Sequence, residues 1–216
     1  MNEYYNLKLD ACFSNELADI LKKHKTLSHL DLDKILCWSN NYTRWWNYMQ
    51  LVKSGRCNEF AINKGFNYAY TTGKISSFEE CVYFEDLLDK IRFEKVSDAY
   101  GLKLYKKLPN IINVYRGTSV EEFEGYNECA DLVGFSWTID IGVAEFFAFR
   151  FNQPDRLVMK ASIPKQNIKA IFTQRKEYEV LIKPDTFDSC EIRIQTKKPT
   201  AYYDKFMKEH KKRQKT

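Results

Sequence analysis

The chain has 216 residues, 44% of them hydrophobic and 15% aromatic, with a formal net charge of +5. That length suits one compact domain or a small domain with an appendage, and that apolar content is ample for a packed core, which excludes wholesale disorder. No apolar run approaches the ~20 residues that cross a bilayer, and Met1 to Asp10 has no apolar h-region of the signal-peptide kind. The expectation is a soluble, cytoplasmic protein with no membrane partner.

Most of the positive excess sits at the end, in Lys205, Lys208, Lys211, Lys212, Arg213 and Lys215. Such a run is usually a solvated tail; attraction to nucleic-acid phosphates is the other reading. Six cysteines (Cys12, Cys37, Cys57, Cys81, Cys129 and Cys190) stand without any C-x-x-C pair. They read as reduced, mostly buried thiols rather than disulfide staples. His24 and His29 lack the i, i+4 spacing that puts two imidazoles on one helical face, and His210 is in the tail, so no metal site is expected.

Helical signals dominate up to about residue 108. Ser28-His-Leu-Asp31 and Ser76-Ser-Phe-Glu79 have the spacing of capping boxes, a hydroxyl followed three residues later by an acid. The second opens a segment whose Phe78, Val82, Leu87, Leu88 and Ile91 follow a helical period. Trp38, Tyr42, Trp45, Trp46 and Met49 also fall at helical spacing, with Arg44 beside them. This stripe reads as the core face of a helical layer; a platform on which bases stack is the alternative.

After Pro109 the texture becomes β-rich. Ile111 to Arg116 reads as a strand ended by Gly117, and Asp131 to Thr138 as a second. Ile141 to Phe151 carries Val143, Ala144, Phe147, Ala148 and Phe151 on one helical face. Arg156 to Ile163, Ile168 to Phe172, Tyr178 to Ile182 and Glu191 to Gln195 follow as strands, and a last helix runs from about Ala201 to Lys212. Strands joined by short turns around a single helix argue for an α+β domain. The expected division is a helical region at 1–108 packed on the core, a core at 109–200, and a C-terminal helix with a basic tail at 201–216.

Three polar elements stand out on strands that otherwise serve a core. Arg116 precedes Gly117 at the end of the first strand, where a planar guanidinium suits bidentate contact with phosphate. Ser136 and Thr138 are two apart, so their hydroxyls leave one face of a strand while Phe135 and Trp137 take the other. Asp140 or Thr138 also suits the cap of the following helix. Glu177 and Glu179 repeat the i, i+2 spacing at the entry to Val180-Leu-Ile182, where a carboxylate beside a buried strand is costly unless paired or used.

In this order, Val114-Tyr-Arg-Gly117, Phe135-Ser-Trp-Thr138 and Glu177-Tyr-Glu179 resemble the arginine, Ser-Thr-Ser and Glu-x-Glu motifs of toxin-like mono-ADP-ribosyltransferases. The stretch from Phe135 to Ala148 is similar to that of small phage and toxin-type members. The resemblance covers roughly Ile111 to Pro184, and Trp137 departs from it by replacing a small central residue. It implies an ADP-ribosyltransferase-like fold, a pair of packed small β-sheets, here preceded by the helical half.

It also implies cleavage of the nicotinamide–ribose bond of NAD⁺, used as a substrate, and transfer of ADP-ribose to a macromolecular acceptor, either a protein arginine or a nucleic-acid base. Glu179 would be the catalytic carboxylate, Ser136 would hold it, and Glu177 would orient or deprotonate the acceptor. Arg116, Gly117, Ser136, Thr138 and Glu179 would bind NAD⁺, with no metal. A toxin or phage-conflict effector is the implied setting, with an antitoxin or immunity protein as a possible partner. NAD⁺ hydrolysis without a dedicated acceptor and a non-catalytic binding module on the same fold are the rival readings.

Overall fold

A computed structural model of the chain describes residues 15–73, 78–128, 134–173 and 177–213. They fall into two compact units, Met1–Val96 and Ser97–Thr216.

The first unit is helical: α1 (Asn15–Lys23), α2 (His29–Trp38), α3 (Arg44–Lys53), α4 (Glu59–Thr72), α5 (Phe78–Leu88) and α6 (Phe93–Val96). The box at the start of α2 is complete: the Asp31 backbone N–H donates to Ser28 Oγ, and Asp31 Oδ2 accepts from the Ser28 backbone at 2.9 Å. The second box, at Ser76 and Glu79, lies outside the described residues and side chains. Trp45, Tyr48, Phe66 and Phe84 are fully buried, and the Trp45 ring meets the other three at centroid separations of 5.2–5.9 Å. Gly65 lets α2 and α4 close together, since a Cβ there would sit 2.2 Å from Leu32 Cδ2.

The aromatic stripe read from the sequence is not one surface. Helix α2 stops at Trp38 and α3 starts at Arg44, so Trp38 and Tyr42 are exposed while Trp45 and Met49 are core. Arg44 is spent on helix ends: its Nε, Nη2 and Nη1 donate to the carbonyls of Leu36, Ser39 and Thr72 at 2.6–2.9 Å. In α5 the apolar period holds at Leu87 and Leu88, but Val82 is 47% exposed. The cysteines also differ from expectation. Of the four described, Cys57 alone is buried, Cys37 is exposed, and Cys81 and Cys190 lie between. Burial pushes the Cys57 thiol up to about 11, against a smaller pull from Arg56, which makes it a poor nucleophile.

The second unit is α+β. Helix α7 (Ala99–Lys107) leads into β1 (Ile111–Ser119), α8 (Val120–Glu128), β2 (Ser136–Thr138), α9 (Ile141–Phe149), β3 (Arg156–Pro164), β4 (Ile168–Phe172), β5 (Glu179–Ile182), β6 (Ile192–Thr196) and α10 (Ala201–Arg213). The boundary expected near residue 108 falls earlier because α7 is seated on β4. Asp98 caps α7 and also receives the Thr173 hydroxyl at 2.8 Å, Ser97 Oγ accepts from the Ile171 backbone, and Gly101 packs on the Ile171 carbonyl.

Among the described residues the strands form one antiparallel sheet in the order β4-β5-β2-β1-β3-β6. The expected pair of packed sheets is thus corrected to a single one. The physical reason is a narrow seam. Strand β1 pairs with β3 along its whole length, from Ile111↔Pro164 to Ser119↔Arg156, but among the described residues with β2 only at Tyr115↔Thr138. That one register pair joins two three-stranded halves.

Gly117 does not end β1. Its missing Cβ admits the backbone of α9, since a Cβ would sit 2.2 Å from the Ala144 carbonyl and 2.6 Å from Ala148 N. Ala144, Ala148, Phe149 and Val158 form the core beneath, with Tyr115 and Tyr203 against it. Helix α10 is anchored by Glu145 of α9. This fully buried carboxylate accepts from Thr200 N, Thr200 Oγ1 and Tyr203 N at 2.6–3.2 Å, which closes the donors of the helix start. Phe151, read as part of the apolar face of α9, lies past its end and is 68% exposed. No described helix is long and apolar enough to cross a membrane.

Candidate active site

Each polar element singled out in the sequence lies at or beside the seam between β1 and β2. On β2, alternation separates the side chains as the spacing requires. Trp137 turns to one side and stacks on Phe187 with ring centroids 4.7 Å apart, its indole N–H donating to the Gly134 carbonyl at 2.9 Å. A bulky residue is accommodated there because its pocket is on the face away from the hydroxyls.

Ser136 leaves the opposite face, and its Oγ donates to Glu179 Oε1 at 2.5 Å. The register explains how residues so distant in sequence meet. Thr138 pairs with Glu179 and Ser136 with Leu181, so Ser136 and Glu179 are diagonal neighbours on one face of adjacent strands. The same register sets Thr138 against Tyr115, which packs against the core under α9. Burial, with Tyr202 nearby, raises the Tyr115 phenol and keeps it neutral there.

Thr138 serves the backbone. Its hydroxyl donates to the Glu177 carbonyl at 2.7 Å and accepts from Asp140 N at 3.1 Å, while Asp140 itself caps α9 through Gly142 N at 2.8 Å. Glu177 does not share a strand face with Glu179. Strand β5 begins at Glu179, and Tyr178 adopts the left-handed conformation at φ 48°, which breaks the two-residue alternation. A non-glycine residue held there costs about 1–3 kcal/mol. The turn is pinned by Thr138 and by Ile139 N, which donates to the Tyr178 carbonyl at 3.4 Å. Direction is therefore given to Glu177 by a held turn.

Arg116 alternates to the side of β1 opposite Tyr115 and Gly117 and reaches β2 through its backbone: Nη1 donates to the Ser136 carbonyl at 2.7 Å. Its other edge is taken by Glu122 of α8, whose Oε1 accepts from Nε and Nη2 at 2.9 Å each. The second Glu122 oxygen accepts from the Thr118 hydroxyl. One face of the guanidinium is covered by Gly134, where a Cβ would lie 2.3 Å from Nη2. Of five N–H donors, three are engaged in these bonds, and the other two take no bond among the described residues.

Glu122 is the residue that sequence reasoning missed. Ser119-Val-Glu-Glu122 has the spacing of a capping box, and Ser119 Oγ does accept from Glu122 N at 3.1 Å. That signal finds the helix start but not the partner of Arg116. Gly117 is brought to the seam, where its missing Cβ lets α9 pack against it. Among the described residues no group of three or more His, Cys, Asp or Glu could hold a metal ion. His24 instead bonds Asp31 at 3.0 Å.

Compared with known proteins, the chain matches no family model, no curated protein and no solved structure. The functional reading therefore rests on the residues and their geometry.

Proposed function

We propose that the chain is an NAD⁺-dependent mono-ADP-ribosyltransferase with Glu179 as its catalytic carboxylate. The observation that carries the reading is the 2.5 Å bond from Ser136 Oγ to Glu179 Oε1, which orients this carboxylate at the entry to β5. It agrees with the order of the three motifs.

In the proposed step the bond from ribose to nicotinamide breaks, and its electron pair leaves with nicotinamide. That group was a cation in NAD⁺ and departs neutral, so no general acid is required, unlike the two carboxylates of ordinary glycoside hydrolysis. Glu179 stabilises the positive charge that develops on the ribose. A fixed group aimed at developing charge contributes on the order of 3 kcal/mol. The acceptor nucleophile then bonds the anomeric carbon, and its proton passes to Glu177. The two outward N–H groups of Arg116 are suited to the pyrophosphate.

Incubation with labelled NAD⁺ and a cell lysate tests this, beside a Glu179→Gln variant. Nicotinamide release should fall by about a hundredfold or more in the variant, with its melting temperature little changed. Label that resists nuclease but not protease assigns a protein acceptor, and the reverse assigns nucleic acid. Free ADP-ribose alone means hydrolysis, which Glu177→Gln should leave intact. Equal, negligible release from wild type and variant would sink the enzymatic reading and leave a binding module.

A further inference from the structure

Within that transferase reading, on which this inference rests, we infer that Glu122 is a positioning residue that sets Glu179 through Arg116 and Ser136. Among the described residues the seam between β1 and β2 has backbone pairing at Tyr115↔Thr138 alone, so although β5 holds Ser136 in register with Leu181, little in the ladder ties the Ser136 end of β2 to β1. A side chain supplies the missing tie: Arg116 Nη1 to the Ser136 carbonyl at 2.7 Å.

A guanidinium on a flexible stem holds such a bond in one direction only if its own orientation is set. Here it is set on three sides. Glu122 Oε1 takes the Nε and Nη2 edge, Gly134 closes one face, and β1 fixes the root. Glu122 is itself fixed. Its other oxygen receives the hydroxyl of Thr118, a side chain only 1% exposed, and its backbone N–H is capped by Ser119. The hydrogen-bonded line Thr118–Glu122–Arg116–Ser136–Glu179 therefore runs from the rigid β1–β3 pair to the carboxylate. Arg116 and Glu122 are 24% and 31% exposed, so water reaches the pair and its two outward donors, while the charges neutralise each other at the edge of the site.

Glu122 does not touch the reacting atoms in this account. Its removal frees the guanidinium to turn toward water, loosens the Ser136 carbonyl, and lets the Ser136–Glu179 pair, held together by the β2–β5 ladder, drift relative to β1. Misplacing a catalytic group by about an ångström costs roughly a hundredfold in rate. A loss confined to turnover separates this from a structural role, and a cycle with Arg116 shows whether Glu122 acts through it.

The test is nicotinamide release at saturating NAD⁺ by the full chain and by Glu122→Ala, Glu122→Gln, Arg116→Ala and the Arg116→Ala/Glu122→Ala double variant, with melting temperatures alongside. The expected result is that Glu122→Ala lowers kcat by about a hundredfold, with KM for NAD⁺ changed far less. Glu122→Gln, which keeps the shape and one acceptor, should recover part of the loss. The double variant should be no slower than the slower single. Losses that multiply in the double variant, or a Glu122→Ala enzyme at the wild-type rate, overturn the inference and leave the transferase reading standing. A wild type that releases no nicotinamide overturns both.

Discussion

Two arginines show how differently the two units use the same chemistry. Arg44, in the helical unit, gives all three of its described hydrogen bonds to main-chain carbonyls at helix ends and lies over the Tyr68 ring at 5.1 Å. Its bonds satisfy acceptors that the helices leave open. Arg116, in the sheet unit, binds a carboxylate on one edge and a strand carbonyl on the other, and that strand residue holds a second carboxylate. The first arginine completes secondary structure. The second belongs to a network that secondary structure does not require, and that excess of polar connection is what marks a candidate site.

Trp45→Ala should sharpen this comparison most. Trp45 is fully buried against Tyr48, Phe66 and Phe84, and truncating such a ring costs about 3–5 kcal/mol. Urea unfolding should show that loss. A change no larger than the roughly 0.5 kcal/mol of an exposed substitution would contradict the core assigned to the helical unit.

Ser136→Ala should do the opposite, lowering nicotinamide release by about a hundredfold while the unfolding midpoint hardly moves. If stability fell and turnover did not, Ser136 would be one more structural hydroxyl and the contrast between the units would fail.

The smallest effect is expected at Asp31. Burial acts to raise its carboxyl, but the Ser28 backbone and hydroxyl bonds and the His24 imidazole outweigh it and hold it below the usual carboxylate value. A depressed folded-state value means stability that is present above the unfolded carboxylate range and is lost as pH falls through the folded one. Urea midpoints measured from neutral pH down through that window should therefore fall, and Asp31→Asn should remove about 1 kcal/mol at neutral pH, as loss of a cap does, and flatten the slope. A wild-type profile already as flat as that of Asp31→Asn would show that the box contributes nothing to folding.

Much of the fold was legible along the chain. The β1, β3, β4 and α10 segments, the Ser28 box and the Asp140 cap follow from period, β-branching and capping chemistry, all of which act within a few residues. The candidate site was legible in part. Ser136 and Glu179 could be named from spacing, but Glu177 could not be placed, because the left-handed Tyr178 interrupts the alternation on which the inference stood. Gly117 was taken for a strand end because nothing local announces that a helix backbone will rest on it.

By itself, then, the sequence determined the mix of helices and strands, the apolar faces and the identity of the polar groups set among them, since each depends on neighbours within a turn or a strand. Tertiary structure alone decided the single sheet in place of two, the burial of one described cysteine out of four, and the pairing of Glu122 with Arg116. Those depend on which strand meets which, and on a register that brings Ser136 and Glu179 within 2.5 Å across a gap in the chain. No local pattern encodes that choice; it is made when β2 and β5 pair.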